Sequence, residues 1–133
     1  MYKFPWLSIN ESAFAGKIKV KQGRTTFINW GCYISDYVEI GEGVLFGPNS
    51  IVHTSSHQTV KGEFIKDQKI IYKKVIIGDD VWIGAGAIIL GGNVIKSGAV
   101  IGAGSVLTED HVVGENEIWA GNPCKFLKMR EKI

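Results

Sequence analysis

The sequence is poor in cysteine and proline, has no long apolar run and carries almost no net charge. Two cysteines, Cys32 and Cys124, are too few for a disulfide scaffold, and three prolines exclude a proline-rich disordered chain. The longest apolar run, residues 85–90, is interrupted by Gly86 and is far shorter than the roughly 18–20 residues of a transmembrane helix. Residues 1–10 also lack the apolar core of a secretory signal. We therefore expect a cytoplasmic protein with reduced thiols and no membrane insertion.

Charge and length set further limits. Lys and Arg number 15 and Asp and Glu number 13, so the net charge of +2 gives no reason to expect nucleic acid as a partner. A length of 133 residues fits a single domain, and a hydrophobic fraction of 45% is typical of a globular protein. Glycine is the residue in excess, with 17 copies.

A repeat of six residues accounts for many of the glycines. An aliphatic residue or phenylalanine returns every six positions over residues 28–57 and 71–112, and glycine often follows it. This first column consists of Ile28, Ile34, Ile40, Phe46, Val52, Ile71, Ile77, Ile83, Ile89, Ile95, Ile101, Leu107 and Val113. A second column lies four residues later and holds small residues such as Cys32, Ala87 and Ser105. The repeat therefore dominates the chain.

The period of six fits neither an α-helix nor a simple β-meander. It fits short strands joined by corners, in which the aliphatic residue points inward and glycine allows the tight corner backbone. Successive coils then stack as parallel strands about 4.8 Å apart. With three hexads in each coil, the sequence predicts an all-β parallel β-helix, a prism of about four coils.

The segment boundaries follow from the same period. We predict coils over residues 27–57 and 71–113, separated by an extruded loop at residues 58–70, where the period is lost. Residues 1–26 form an aromatic-rich lead-in that could cap the first coil, and residues 114–133 form a C-terminal tail with a basic segment. Loops inserted into repeat proteins often carry function.

Four motifs lie in order on this repeat: NWGCYISD at residues 29–36, IGDDVWIG at 77–84, IGAGSVLT at 101–108 and AGNPCKFLKMR at 120–130. With the repeat, they resemble the hexapeptide-repeat acyltransferases, and most of all the maltose, galactoside and polysaccharide-biosynthesis sugar O-acetyltransferases. The resemblance implies a left-handed parallel β-helix, a homotrimer with sites between subunits, acetyl-CoA as co-substrate, a saccharide acceptor and no required metal.

His57 is the main candidate for catalysis. It ends the segment GPNSIVHTSSH, directly before the predicted loop. A histidine at this motif position in the family is the general base that deprotonates the sugar hydroxyl. The chemistry suits the residue, because a neutral imidazole near pH 7 can take the proton as the new C–O bond forms.

Asn29 and Asp36 are candidates for binding the acceptor. Their segment is similar to the family's Asn-x-x-Cys-x-x-x-Asp, in which the Asn and a nearby Asp contact the acceptor, and an amide and a carboxylate suit sugar hydroxyls. We expect Asn29 to serve both catalysis and acceptor binding. The chain has fewer residues between Asp36 and Ile40 than the maltose-type enzymes, so Asp36 could instead be an ordinary corner residue.

Several further positions match cofactor contacts in the family. The resemblance implies coenzyme A contacts at Trp82, Ala85, Ala103, Thr108, Lys125 and Lys128. At the Ala85 position, the family's backbone N–H faces the acyl oxygen or thioester, where a fixed donor could stabilise the oxyanion. The two lysines would meet the cofactor's phosphates. Glu109 departs from the family, which often has Lys after the threonine.

Other readings of the same fold remain open. The acceptor could be an amine, as in N-acyltransferases, and a catalytically silent β-helical scaffold is a third possibility. Serine as acceptor is disfavoured because the large N-terminal helical domain of serine acetyltransferases has no counterpart here. His53, His57 and His111 also invite a metal reading, but their spacing does not match the ligands of the β-helical carbonic anhydrases.

Overall fold

A computed structural model describes residues 2–132 and shows an all-β chain wound into a prism. Strand β1 is Tyr2–Phe4. The first coil contains β2 (Leu7–Ile9), β3 (Phe14–Ala15) and β4 (Ile18–Val20). The second contains β5 (Thr26–Ile28), β6 (Tyr33–Ile34) and β7 (Val38–Ile40). The third contains β8 (Leu45–Phe46) and β9 (Ile51–His53), then an excursion with β10 (Ser55–His57) and β11 (Ile70–Tyr72), and closes with β12 (Val75–Ile77).

The remaining coils follow without an excursion. The fourth contains β13 (Trp82–Ile83), β14 (Ile88–Leu90) and β15 (Val94–Ile95), and the fifth β16 (Val100–Ile101), β17 (Val106–Leu107) and β18 (Val112–Val113). Strand β19 (Glu117–Gly121) begins a sixth coil, and β20 (Cys124–Met129) turns back beside it. The first, second and third strands of the coils stack into three parallel sheets, here named faces A, B and C.

The interior is built from the two columns of the repeat. Side chains such as Ile34, Phe46, Ile83 and Ile101 have no exposed area and are stacked in register, with Phe46 opposite Ile83 and Ile83 opposite Ile101. Small residues of the second column, such as Ala87, are equally buried beside them. Each large aliphatic side chain buried in this way contributes about 1.5–3 kcal/mol of hydrophobic stabilisation. The predicted parallel β-helix is confirmed.

The prism is longer than the predicted four coils, with five complete coils and the start of a sixth within residues 2–132. The first coil does not follow the six-residue repeat because it contains one extra residue. Ile9 pairs with Ile28, 19 residues later, whereas Ile28 pairs with Phe46, 18 residues later. Residues 1–26 were predicted to be a lead-in, yet their strands β2–β4 form that coil. The sixth coil was hidden because Trp119, rather than an aliphatic residue, pairs with Ile101.

The excursion also differs from the predicted loop at residues 58–70. Strands β10 and β11 pair as an antiparallel hairpin from Ser55 opposite Tyr72 to His57 opposite Ile70. Ile71 therefore matches the six-residue register but lies outside the coils, and the chain re-enters with Val75 beside Val38. Beyond the hairpin, the Gln68 side chain bonds three backbone groups, accepting from the Val60 N–H and donating to the Val60 and Glu63 carbonyls.

The C-terminal segment is likewise more regular than the predicted tail at residues 114–133. Strands β19 and β20 form an antiparallel pair that ends the face A sheet, with Gly121 opposite Cys124 at its turn. Pro123 lies in this turn, where no strand hydrogen bond is needed from its nitrogen. At the opposite end of the same sheet, β1 pairs antiparallel with β2. No helix in the described part of the chain is long and apolar enough to cross a membrane.

Candidate functional site

Two edges of the prism hold most of the predicted site residues. Corner AB joins face A to face B and includes residues 29–32, 47–50, 84–87 and 102–105. Corner BC joins face B to face C and includes residues 35–37, the excursion at 54–74, and residues 91–93 and 108–111.

Ala85 and Ala103 occupy equivalent places in two stacked turns of corner AB. In the first turn the Gly84 carbonyl accepts the Ala87 N–H at 3.1 Å, and Gly86 adopts a positive φ of 68°. The Ala85 and Ala103 N–H groups donate to no acceptor among residues 2–132, as expected for the second residue of a β-turn. Two backbone donors without an acceptor in the described chain therefore lie one coil apart on this edge, each packed beside a glycine of the preceding coil.

Asn29 lies on the same corner, two coils before Ala85. Its side-chain amide donates to the Phe46 carbonyl of the next coil at 2.8 Å. This bond fixes the side chain and leaves its carbonyl oxygen available as an acceptor. Lys125 is exposed at the other end of the corner, where β20 pairs with β19 opposite Ala120.

Trp82 and Lys128 meet in a groove of about 520 Å³ on face A. The outward side chains Leu45, Val100 and Ile118 form the apolar part of its lining, and Arg130 lies on its charged rim. Arg130 is fixed by an ion pair to Asp80 at 2.9 Å. Sequence reasoning missed these apolar lining residues, whose signal was their alignment with Trp82 once the coils are stacked.

His57 and Asp36 lie on corner BC rather than corner AB. The His57 imidazole is exposed on the hairpin and has no hydrogen-bond or ion-pair partner among residues 2–132. Asp36 lies at the root of the hairpin, where its backbone carbonyl accepts the Thr54 hydroxyl at 2.6 Å. One carboxylate oxygen of Asp36 accepts the Lys17 N–H at 2.7 Å, so this residue also caps a corner.

The C-terminal end of the excursion is tied to the fifth coil by charge. Lys73 forms ion pairs with Asp110 at 2.7 Å and Glu109 at 2.9 Å. These hydrogen bonds, first the one to Asp110, raise the pKa of Lys73 above its usual range. Thr108 precedes this pair of acids, and its backbone carbonyl accepts bonds from Asn93 and His111. Glu109, the residue that departs from the family pattern, therefore helps to anchor the excursion.

Within a single chain, corner AB and corner BC are separated by the width of face B. In each complete coil a face B strand of two or three residues lies between corner AB and corner BC, and in the fourth coil β14 spans about 10 Å. Ala85, Ala103, Lys125 and Asn29 share the first edge, whereas His57, Asp36 and Thr108 share the second. A hydrogen bond spans about 3 Å, so His57 reaches the Ala85 N–H of the same chain only if the hairpin moves far from its position.

The three histidines do not form a cluster. The His53 ring contacts Tyr33, with centroids 5.9 Å apart, and its Nε2 lies 3.2 Å from the Ser55 hydroxyl. His111 lies on the fifth coil and packs edge-on against Trp119. Within residues 2–132, no group of three or more His, Cys, Asp or Glu side chains is arranged to hold a metal ion.

The geometry defines a parallel β-helix of the hexapeptide type, and comparison with known proteins identifies its family. The sequence model of the protein family described as bacterial transferase hexapeptide (six repeats) matches residues 74–109. A maltose O-acetyltransferase from Clostridium difficile 630 is 32% identical over 95% of this chain and 67% of its own, with a TM-score of 0.80. The chain belongs to the hexapeptide-repeat acyltransferases.

Two further solved structures are similar. A hexapeptide-repeat acetyltransferase from Vibrio cholerae is 26% identical over 91% of this chain and 75% of its own, with a TM-score of 0.73. The N-acyltransferase AntD from Bacillus cereus, solved with dTDP and 3-hydroxybutyryl-CoA, is 21% identical over 94% of this chain and 80% of its own, with a TM-score of 0.70. At that identity, AntD supports the fold alone.

Proposed function

We propose that this chain is an acetyl-CoA-dependent O-acetyltransferase that acetylates a hydroxyl group of a sugar or saccharide intermediate. One observation carries the proposal: the exposed His57 imidazole lies on a hairpin that leaves the prism, in a chain 32% identical to a maltose O-acetyltransferase. An imidazole without a partner is free to exchange a proton with a bound acceptor.

His57 would act as general base. Its imidazole takes the proton of the acceptor hydroxyl while the hydroxyl oxygen bonds to the acetyl carbonyl carbon. The carbon–sulfur bond of the thioester then breaks, and the leaving thiolate receives the proton from His57. The free carbonyl oxygen of Asn29 and the second carboxylate oxygen of Asp36 suit acceptor hydroxyls.

The remaining residues suit the acyl donor. The unpaired N–H of Ala85 is a preformed donor for the tetrahedral oxyanion, a role independent of side-chain identity. Trp82 lines a groove with apolar residues and with Lys128, whose ammonium lies 3.7 Å from Glu131. This combination fits an extended pantetheine arm whose phosphates would compete with Glu131 for the lysine. Ala103, Thr108 and Lys125 would complete the contacts with coenzyme A.

The separation of the two corners supports a site shared between copies. A second prism whose corner AB approached the hairpin of the first would bring its Ala85 N–H to His57. Exposed aromatic side chains at and beside corner AB, such as Trp30 and Tyr33, give that contact a surface to bury. A closed homotrimer would satisfy every such contact and contain three sites.

Acetyl transfer to hydroxyl acceptors tests the proposal, with His57→Gln as the variant and His53→Gln as the matched control. We expect His57→Gln to lower kcat by about 10²–10⁴-fold with coenzyme A binding intact, and His53→Gln to leave the rate nearly unchanged. Calorimetric titration with coenzyme A measures the binding. Equal rates for His57→Gln and wild type would refute the base, and transfer only to amines would replace the hydroxyl acceptor.

A further inference from the structure

A second cavity, of about 380 Å³, lies where corner BC meets face C. Lys17, Lys19, Lys74, Tyr37 and Glu39 line it together with the apolar residues Ile18 and Val38. We name it the lysine pocket. Its lining combines positive charge, an aromatic ring and apolar surface, and none of its residues has a part in the proposed acetyl transfer.

The charges of the pocket do not cancel. Lys74 forms an ion pair with Glu39 at 2.7 Å, and Lys19 lies opposite the same Glu39 where β4 pairs with β7, so three lysines of the lining share one carboxylate. Asp36 lies on the same corner, with one oxygen held by the Lys17 backbone N–H. Lys17 lies in the bend directly before β4 and Lys19 within β4, and both line the cavity.

Tyr37 is held in an unusual backbone conformation at the edge of the pocket. Its φ is +65°, in the left-handed region, where a bulky aromatic residue is a genuine outlier. The other non-glycine residues with positive φ among residues 2–132 are all Asn or Asp: Asn49, Asp80, Asp110 and Asn116. The fold imposes this conformation, because positive φ recurs at other corner positions such as Gly92 and Asp110 of corner BC. Tyr37 therefore places a half-exposed ring against the cavity where other corners carry glycine or a short polar side chain.

The pocket is connected to His57 through the hairpin. The Tyr37 ring contacts Tyr72 edge-on, with centroids 5.2 Å apart. Tyr72 pairs with Ser55, and Ile70 pairs with His57, so alternation along both strands puts Tyr72 and His57 on the same side of the hairpin. The two positions are about 7 Å apart along the strands. Through Tyr37, the lysine pocket therefore adjoins the side of the hairpin that carries His57.

From this arrangement, we infer that the lysine pocket binds a phosphate group of the acceptor, which is a phosphorylated or nucleotide-diphosphate-linked sugar. The role as acceptor rests on the proposed function, but the binding itself does not. A phosphomonoester carries nearly two negative charges at neutral pH and matches the excess of two positive charges in the lining, which has three lysines and one glutamate. Lysine ammonium groups act as point charges without a fixed fork. The Tyr37 ring supplies a wall for a sugar or a base.

Binding measured without coenzyme A tests the inference. Glucose 1-phosphate, UDP-glucose and glucose are titrated calorimetrically into wild type, Lys17→Ala/Lys19→Ala and the control Lys96→Ala/Lys132→Ala, which removes the same charge elsewhere. We expect both phosphate compounds to bind the lysine-pocket variant at least tenfold more weakly and the control within about twofold of wild type. Lys17→Arg/Lys19→Arg should retain binding, and thermal melts check that each variant folds.

Three results would overturn the inference: no phosphate compound binds wild type, the lysine-pocket variant binds them equally well, or its affinity for coenzyme A falls as much. The last result would make the pocket part of the donor site. Tyr37→Asn, which tolerates positive φ, separates the sources of phosphate. A loss confined to UDP-glucose supports a nucleotide-linked acceptor, and no selective loss supports a sugar phosphate.

The outcomes also separate this inference from the proposed function. If no acetyl transfer is found but phosphate binding depends on Lys17 and Lys19, the proposed function fails and the phosphate site stands. If transfer depends on His57 but phosphorylated sugars show the same KM in wild type and the lysine-pocket variant, the enzyme stands and the phosphate site is refuted.

Discussion

The Lys73 ammonium lies 2.7 Å from the Asp110 carboxylate, although 37 residues separate them in the chain. The contact joins the end of the excursion to the fifth coil, and Glu109 adds a second ion pair at 2.9 Å. The backbone N–H of Lys73 also donates to the Thr54 carbonyl at 2.9 Å, so the two ends of the excursion are joined at the same place. Lys73 therefore fixes the root of the hairpin that carries His57.

Lys73→Met should loosen the hairpin while the prism stays folded. We expect faster amide hydrogen exchange at residues 55–72 and a several-fold lower kcat, because His57 spends less time in position, with little change in Tm. Lys21→Met, which removes an ion pair to Asp79 on another corner, is the control. Unchanged exchange and unchanged kcat in Lys73→Met would show that the ion pairs do not position the hairpin.

Asp79 should make folding stability depend on pH in the acid range. Its carboxylate accepts the Glu42 N–H at 2.9 Å and pairs with Lys21 at 3.1 Å, and these contacts, the backbone bond first, lower its pKa. A lowered folded-state pKa stabilises the fold above the unfolded value of about 4, and the contribution disappears as pH falls through the folded-state pKa.

Urea denaturation of wild type and of Asp79→Asn tests the direction of this pH dependence. We expect wild type to have the higher urea midpoint at pH 7, with a difference that shrinks steadily below about pH 4. A difference that stayed constant from pH 7 to pH 2.5 would mean that ionisation of Asp79 does not contribute.

Gly84 should tolerate no side chain, because the corners stack too closely. A Cβ at this position would lie 2.5 Å from the Ala103 nitrogen and 2.8 Å from the Ala103 Cα. Since backbone atoms cannot move aside cheaply, Gly84→Ala should cost about 1–3 kcal/mol of unfolding free energy. Urea denaturation measures this loss.

Gly86→Ala is the informative comparison, because a Cβ there would meet nothing within 4 Å but the residue has a φ of +68°. Its cost should be the smaller one, about 1 kcal/mol, from the backbone conformation alone. The reverse order of costs would show that the corners can spread apart.

The repeat allowed the fold class and the inward columns to be predicted, but not the ends or the excursion. One extra residue between Ile9 and Ile28 hid the first coil, and Ile71 matched the register although it lies in the hairpin. Because the excursion was assigned too few residues, nothing in the sequence pointed to the contact between Lys73 and Asp110. The groove around Trp82 could not be predicted either, since its apolar lining residues are distant in the sequence and become neighbours only when the coils stack.

Trp82→Ala should weaken coenzyme A binding without damaging the prism. The indole is 53% exposed and lines the groove with Lys128, so its removal leaves no buried cavity but takes away the largest apolar surface available to the donor. We expect a Kd for coenzyme A at least tenfold higher by calorimetry, because a tryptophan in a binding interface often contributes about 2 kcal/mol or more. The Tm should stay within a few degrees of wild type.

Phe27→Ala is the matched control, because Phe27 is an exposed aromatic residue of face A outside the groove. Lys128→Ala should lower affinity for coenzyme A more at low salt than at high salt, because an exposed charge pair is screened. Equal affinity of Trp82→Ala and wild type would exclude the groove as the donor site and leave corner AB alone to hold the cofactor.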